Sequence, residues 1–318
     1  MPVPSAATAR SDLLRQARAG VPPGSDATLE RFDNLLGIVE DLESCVIALS
    51  GGVDSSFLLA VAAPILGGRC LAITADSAAV PQWDRNDAGT AARAAGLHGA
   101  RWRTVATSEL DEPRYASNPR SRCYYCKLEV YGTLAAIARD EGIAWVVDGT
   151  NASDQVRTDR PGMAAAGELG VRSPLVEAGI GKSEIRLLAR AIGLPDWDRP
   201  ASACLSSRIP FGVPIRAERL RLVEAAELAL RGLGLRQVRV RDFGSSARVE
   251  VDAAERDMLA RVAPSIGAAL TDLGFEGWTA ADYTGTGAGD RPKSGAPEVS
   301  LSRTDLPERD ASAASGQT

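Results

Sequence analysis

Lysine and histidine are scarce in this 318-residue chain, which has three lysines (Lys127, Lys182 and Lys293) and a single histidine, His98. One histidine, in the loop-like stretch GLHGA, leaves no material for a histidine-based triad. Proton transfer must then fall to carboxylates, lysine, cysteine or the substrate itself. Excess positive charge is also missing: the net charge is -5 and the pI about 5.2, which argues against a broad electrostatic grip on nucleic acid. No apolar run is long enough to span a membrane, and the first residues lack the charged and apolar regions of a secretory leader, so no membrane partner is expected and the cytoplasm is the expected compartment. No repeat of 20–50 residues is visible.

What is present centres on SGGVDSS at positions 50–56, between the apolar runs CVIAL and FLLAVAAPIL. The order reads strand, tight loop, helix. Gly51 and Gly52 let the backbone approach an anion, the amides of the turn and of the helix start point toward it, and Ser50, Ser55 and Ser56 add hydroxyl donors. The loop has neither the lysine nor the spacing of a Walker A site. It resembles instead the PP-loop of enzymes that split ATP into AMP and pyrophosphate.

Around this loop, apolar strands and amphipathic helices alternate up to about residue 150, the rhythm of a parallel sheet covered by helices. The phosphate loop then falls at the carboxyl end of the first strand, and DGTN at 148–151 ends a later strand facing the same crevice, with Gly149 and Thr150 as nucleotide contacts. After residue 210 the pattern changes to helix, two strands, helix and a last short strand, a small α+β domain. Asp252 and Glu255 are spaced as a capping box for its second helix. The expected organisation is therefore an α/β, parallel-sheet PP-loop domain over residues 27–205 and a small α+β substrate or oligomerisation domain over 206–285. Segments 1–26 and 286–318, rich in Ala, Pro, Gly and charge, are expected to be disordered.

In the strand RQVRVRDF, alternation puts Arg239 and Arg241 on one face and Val238 and Val240 on the other. The two guanidinium groups either clasp a phosphate or form the solvated face of a sheet. Five cysteines divide into two kinds. Cys45 and Cys70 lie in apolar strands and read as core residues. Cys123 and Cys126 form a CxxC pair, and Cys204 follows 78 residues later in RPASACLSSRIPFG. The trio is compatible with a redox pair, a zinc half-site, three ligands of an iron-sulfur cluster, or unrelated surface thiols. Arg199 and Arg208 flank Cys204 and favour its thiolate, the nucleophilic form.

Taken together, SGGVDSS, NPRSRCYYCK, DGTNASD, RPG, LGVRSPLVEAGIGKSEIRLLAR and above all PASACLSSRIPFG resemble the LarE family over about residues 30–285. LarE proteins are ATP-dependent sulfur transferases of nickel-pincer nucleotide synthesis, whose product serves lactate racemase and related enzymes. The resemblance implies ATP with Mg2+ on Ser50, Gly51, Gly52, Asp54, Ser55 and Ser56, and a pyridinium dicarboxylate mononucleotide as substrate. It further implies a substrate phosphate on Arg239 and Arg241, with Glu227 in the same region, and Cys204 as the sulfur-bearing residue. Lys127 and Lys182, spared in an arginine-rich chain, are proposed phosphate or leaving-group contacts. Family members either consume a single cysteine or hold a [4Fe-4S] cluster on three, which here would be Cys123, Cys126 and Cys204. A homo-oligomer is expected. A PP-loop tRNA thiolation enzyme and a non-catalytic adenylate sensor are the alternatives.

Overall fold

The computed structural model describes residues 5–155, 161–283 and 299–301. Two compact units make up the chain, Met1–Cys204 and Leu205–Thr318.

The first unit opens with α1 (Ala6–Gly20) and α2 (Asp26–Asp41). The first of these corrects the expectation of disorder over residues 1–26. Ser5 caps the helix by accepting the Thr8 amide, and Ala9, Leu13 and Ala17, spaced four apart, are buried in the core. Because two of the three are alanine, the apolar stripe is faint in sequence. Gly20 marks how closely the helix is packed: a Cβ there would lie 2.6 Å from the Ala191 Cα.

Next come β1 (Cys45–Ala48), α3 (Val53–Leu66), β2 (Cys70–Asp76), α4 (Gln82–Ala94) and β3 (Trp102–Ala106). They are followed by α5 (Pro113–Ala116), α6 (Arg122–Asp140), β4 (Trp145–Val147) and four further helices. These are α7 (Ala152–Gln155), α8 (Pro161–Glu168), α9 (Pro174–Glu177) and α10 (Lys182–Ala191). All four strands run parallel in the order β3-β2-β1-β4. Chain order reverses direction beside β1, so the crevice between the carboxyl ends of β1 and β4 is the switch point where such sheets bind ligands. Cys45 and Cys70 face each other across β1 and β2 with no solvent exposure, as core residues. Helix α3 is apolar on nearly all sides, consistent with a helix inside the core.

The second unit contains α11 (Ala217–Gly232), β5 (Val238–Asp242), β6 (Ser246–Val251), α12 (Arg256–Asp272), β7 (Gly277–Asp282) and β8 (Val299–Leu301), with strand order β5-β6-β7-β8. β5 and β6 are antiparallel and β6 and β7 parallel. Both alternating faces of β5 are buried, so the solvated-face reading of Arg239 and Arg241 does not hold. The capping box does not form either. Asp252 caps a short 3-10 turn by accepting the Ala254 amide, while Glu255 accepts the Arg236 and Gln237 amides. Of the stretch 286–318, expected to be disordered, Val299–Leu301 pairs with β7, and the remainder lies outside the described residues.

Candidate active site at the carboxyl edge of the parallel sheet

The turn after β1 is built as an anion cradle. Gly51 has φ +79, a conformation that favours glycine, and a Cβ there would lie 2.2 Å from the Asp84 carbonyl. Ser50 and Ser55 lock the turn from within: the Ser55 hydroxyl donates to the Gly52 carbonyl at 3.1 Å, and the Ser50 amide donates to Ser55 Oγ at 3.2 Å. Helix α3 starts immediately afterwards with no side-chain cap, which leaves first-turn amides and the positive end of its dipole facing the crevice. Ser56 Oγ is buried without a hydrogen-bond partner. An unmatched buried hydroxyl beside bare amides is what a phosphate oxygen would satisfy.

The loop after β4 closes onto this cradle. A Cβ on Gly149 would meet the Ser55 amide nitrogen at 2.7 Å, so only glycine permits this approach. Asn151 Nδ2 donates to Asp54 Oδ2 at 3.1 Å, and Lys182 Nζ, from the first turn of α10, pairs with Asp54 Oδ1 at 2.5 Å. Lys182 thus enters the site as the clamp on an acidic residue of the phosphate loop.

Lys127 is held differently. Its Nζ donates to Tyr131 Oη at 2.8 Å, one helical turn along α6, and that hydroxyl donates to Asp148 Oδ2 at 2.5 Å. Asp148 also accepts from the Thr150 amide at 3.1 Å, the Thr150 hydroxyl at 2.7 Å and the Ser173 hydroxyl at 2.7 Å. Burial alone would pull the lysine down, but Tyr131 and Asp148 outweigh it and hold Lys127 above the usual lysine range. Burial also pushes the Tyr131 phenol up, with Asp148 adding to the effect. Asp148 opens the DGTN stretch expected at this crevice, whereas Tyr131 and Ser173 carry no signal of their own there, although Tyr131 stands four residues from Lys127 in a helical pattern.

The segment leading to Cys204 is fastened to the same place. Arg199 Nη1 donates to the Gly51 carbonyl at 2.5 Å and pairs with Asp87 of α4 at 3.0 Å. Ser202 Oγ donates to Asp84 Oδ2 at 2.7 Å. Cys204 and Cys126 are partly buried and Cys123 is exposed. Burial pushes the Cys126 thiol up, and the neighbouring Glu109, Cys204 and Cys123 add to the shift. Among the described residues no three His, Cys, Asp or Glu side chains are placed to hold a metal ion.

In the second unit, Glu227 is fully buried and accepts Arg208 Nε at 2.8 Å, Arg208 Nη2 at 2.9 Å and the Val240 amide at 3.0 Å. Its carboxylate is consumed inside the unit, as the anchor of Arg208. Arg241 pairs with Glu250 at 2.9 Å and donates to the Ser207 carbonyl at 2.5 Å. The Arg239 guanidinium lies over the Tyr283 ring at 4.6 Å, and burial, then the nearby Arg208, push it below the usual arginine range.

No protein-family profile matches the chain. It is 43% identical over 221 residues to an uncharacterised protein of Synechocystis sp., a span that covers 70% of this chain and 81% of the relative. An uncharacterised protein of Methanocaldococcus jannaschii is 31% identical over 209 residues, 65% of this chain and 77% of the relative. The pyridinium-3,5-bisthiocarboxylic acid mononucleotide synthase of Lactiplantibacillus plantarum is 33% identical over 242 residues, 76% of this chain and 86% of that enzyme. No helix among the described residues is long and apolar enough to cross a membrane. With a parallel sheet that carries a phosphate loop after its first strand, and with this identity over most of both chains, the protein belongs to the LarE family of sulfur transferases.

Proposed function

We propose that this protein activates the carboxylates of a pyridinium dicarboxylate mononucleotide with MgATP and converts them to thiocarboxylates. One observation carries the reading: Arg199 on the Gly51 carbonyl tethers the segment that leads to Cys204 to the phosphate loop, and Ser202 on Asp84 fastens it to the start of α4, whose Asp84 carbonyl lies against Gly51. A nucleotide seated over residues 50–56 would then have a thiol-bearing strand of chain beside it.

In the first step a substrate carboxylate oxygen attacks the α-phosphorus and pyrophosphate leaves. The first-turn amides of α3 and the Ser56 hydroxyl bind phosphate oxygens, and Lys127 supplies charge for the leaving group. Lys182 acts through Asp54, fixing the carboxylate of the loop at 2.5 Å. The Cys204 thiolate next attacks the acyl carbon and AMP leaves, giving a thioester. Loss of the Cys204 Cα proton and cleavage of its Cβ–S bond then release the thiocarboxylate and leave dehydroalanine. Each enzyme molecule serves one sulfur in this scheme. Arg239 and Arg241 are the proposed contacts of the substrate phosphate, and Arg208, anchored by Glu227, belongs to the same cluster of cations. Cys123 and Cys126 take no step in this scheme; in its other branch Cys123, Cys126 and Cys204 would hold a [4Fe-4S] cluster, which would supply the sulfur in place of the Cys204 side chain.

The test is intact mass and visible absorbance of anaerobically purified protein before and after MgATP plus the pyridinium dicarboxylate mononucleotide. The expected result is AMP and pyrophosphate in step with loss of the elements of hydrogen sulfide at Cys204. Pyrophosphate release with an unaltered polypeptide and a visible chromophore would overturn the cysteine-derived sulfur step, and absence of pyrophosphate would overturn adenylation.

A further inference from the structure

Glu109 is a buried carboxylate that none of these steps uses. It opens the short 3-10 turn after β3, at the carboxyl edge of the sheet, and only 2% of it is exposed. Oε1 accepts the Ser77 hydroxyl at 3.3 Å and faces the Cys126 thiol at 3.8 Å. Oε2 is buried with no hydrogen-bond partner, and no lysine or arginine among the described residues pairs with this side chain. A carboxylate withdrawn from water with neither a cation nor a full set of donors is costly, so such a group calls for a positively charged occupant. The other acidic side chains around the crevice are engaged: Asp54 by Lys182 and Asn151, Asp84 by Ser202, and Asp148 by Tyr131, Thr150 and Ser173.

The surroundings identify the occupant. Cys126, against Glu109, lies close enough to Cys204 and Cys123 to feel both. Sulfur reaches the substrate at carboxyl carbons attached directly to its ring, so the ring must come to the thiols. In a pyridinium that ring has a permanent positive charge. We propose that Glu109 is the binding partner of the cationic ring and selects a pyridinium dicarboxylate over a neutral aromatic one. The assignment rests on the function proposed above and adds to it the group that recognises the ring. A neutral ring in the same place would leave the carboxylate buried and unpaired, the situation in which polar sites discriminate most strongly.

The experiment compares substrate-dependent pyrophosphate release from MgATP by the full-length protein and by Glu109→Gln, with two mononucleotides. One is the pyridinium dicarboxylate and the other its benzene counterpart, joined to the same ribose phosphate. The wild type should favour the cation by about 10- to 100-fold in the single-turnover second-order rate constant of pyrophosphate release. Glu109→Gln should bring that ratio close to one by losing rate on the cation alone, and Glu109→Asp, which keeps the charge, should retain most of it. An unchanged ratio in Glu109→Gln, or an equal loss on both substrates, overturns the assignment and leaves the function standing. Should the Gln variant not fold, equilibrium binding of the two mononucleotides to the wild type decides, and equal affinity overturns the assignment. A wild type that releases no pyrophosphate with the pyridinium substrate overturns both.

Discussion

Replacing Glu227 by alanine distinguishes a structural carboxylate from a substrate contact. In the native unit Glu227 has no exposed surface, Arg208 has 1%, and two parallel bonds of 2.8 and 2.9 Å join them while the Val240 amide takes the third bond at 3.0 Å. Alanine would strand a buried guanidinium and a buried amide together, a loss of about 3–5 kcal/mol. Glu227→Gln keeps an acceptor but not the charge, and should cost about 2 kcal/mol. The pair Arg208→Met with Glu227→Leu removes both charges and should return stability to within about 2 kcal/mol of the native protein, a coupling that single substitutions do not show. Urea unfolding followed by circular dichroism, with amide hydrogen exchange read in β5, measures all three. If Glu227→Ala costs under about 1 kcal/mol while substrate-dependent pyrophosphate release collapses, the carboxylate is a ligand contact and the structural argument is refuted.

Gly149→Ala should destabilise the protein by about 1–3 kcal/mol and lower pyrophosphate release, since the new methyl meets the Ser55 amide at 2.7 Å; native unfolding and turnover would contradict the close approach. In cluster-free protein at pH 8, iodoacetamide should modify exposed Cys123 at least about tenfold faster than Cys126, whose thiol burial keeps protonated, while Cys45 and Cys70 react only on unfolding; peptide mass mapping reads the order. Leu13→Ala should cost about 2 kcal/mol or more in thermal or urea unfolding because α1 packs into the main core, and a neutral effect would restore the view of residues 1–26 as disordered.

Much of this architecture could be read directly from residues. The strand-loop-helix grammar around SGGVDSS and the spacing of four apolar strands predict the parallel sheet, and DGTN falls on the loop that meets the phosphate cradle. Local signals of that kind survive because glycines, strand length and chain order constrain them strongly. The arginines of β5 were legible only as a face. Which face is wet depends on what packs against it, and here both sides are covered. Helix α1 was hidden because alanine carries little of the contrast that periodicity needs. The partner of Lys127 lay within reach of a helical-wheel argument, whereas Glu109 and Cys126 are brought together by the turn after β3 and the start of α6, a meeting that no spacing in the chain announces.

The restraint on the two site lysines bears on chemoselectivity. An acyl-adenylate is attacked by any amine with an available lone pair, and a lysine beside it would be acylated irreversibly. Here the Lys182 ammonium is paired with Asp54 at 2.5 Å, and Tyr131 and Asp148 hold Lys127 above the usual lysine range. Under the proposed mechanism both side chains stay engaged, Lys182 with Asp54 and Lys127 with Tyr131, which leaves the activated carboxyl to sulfur although two primary amines share its crevice.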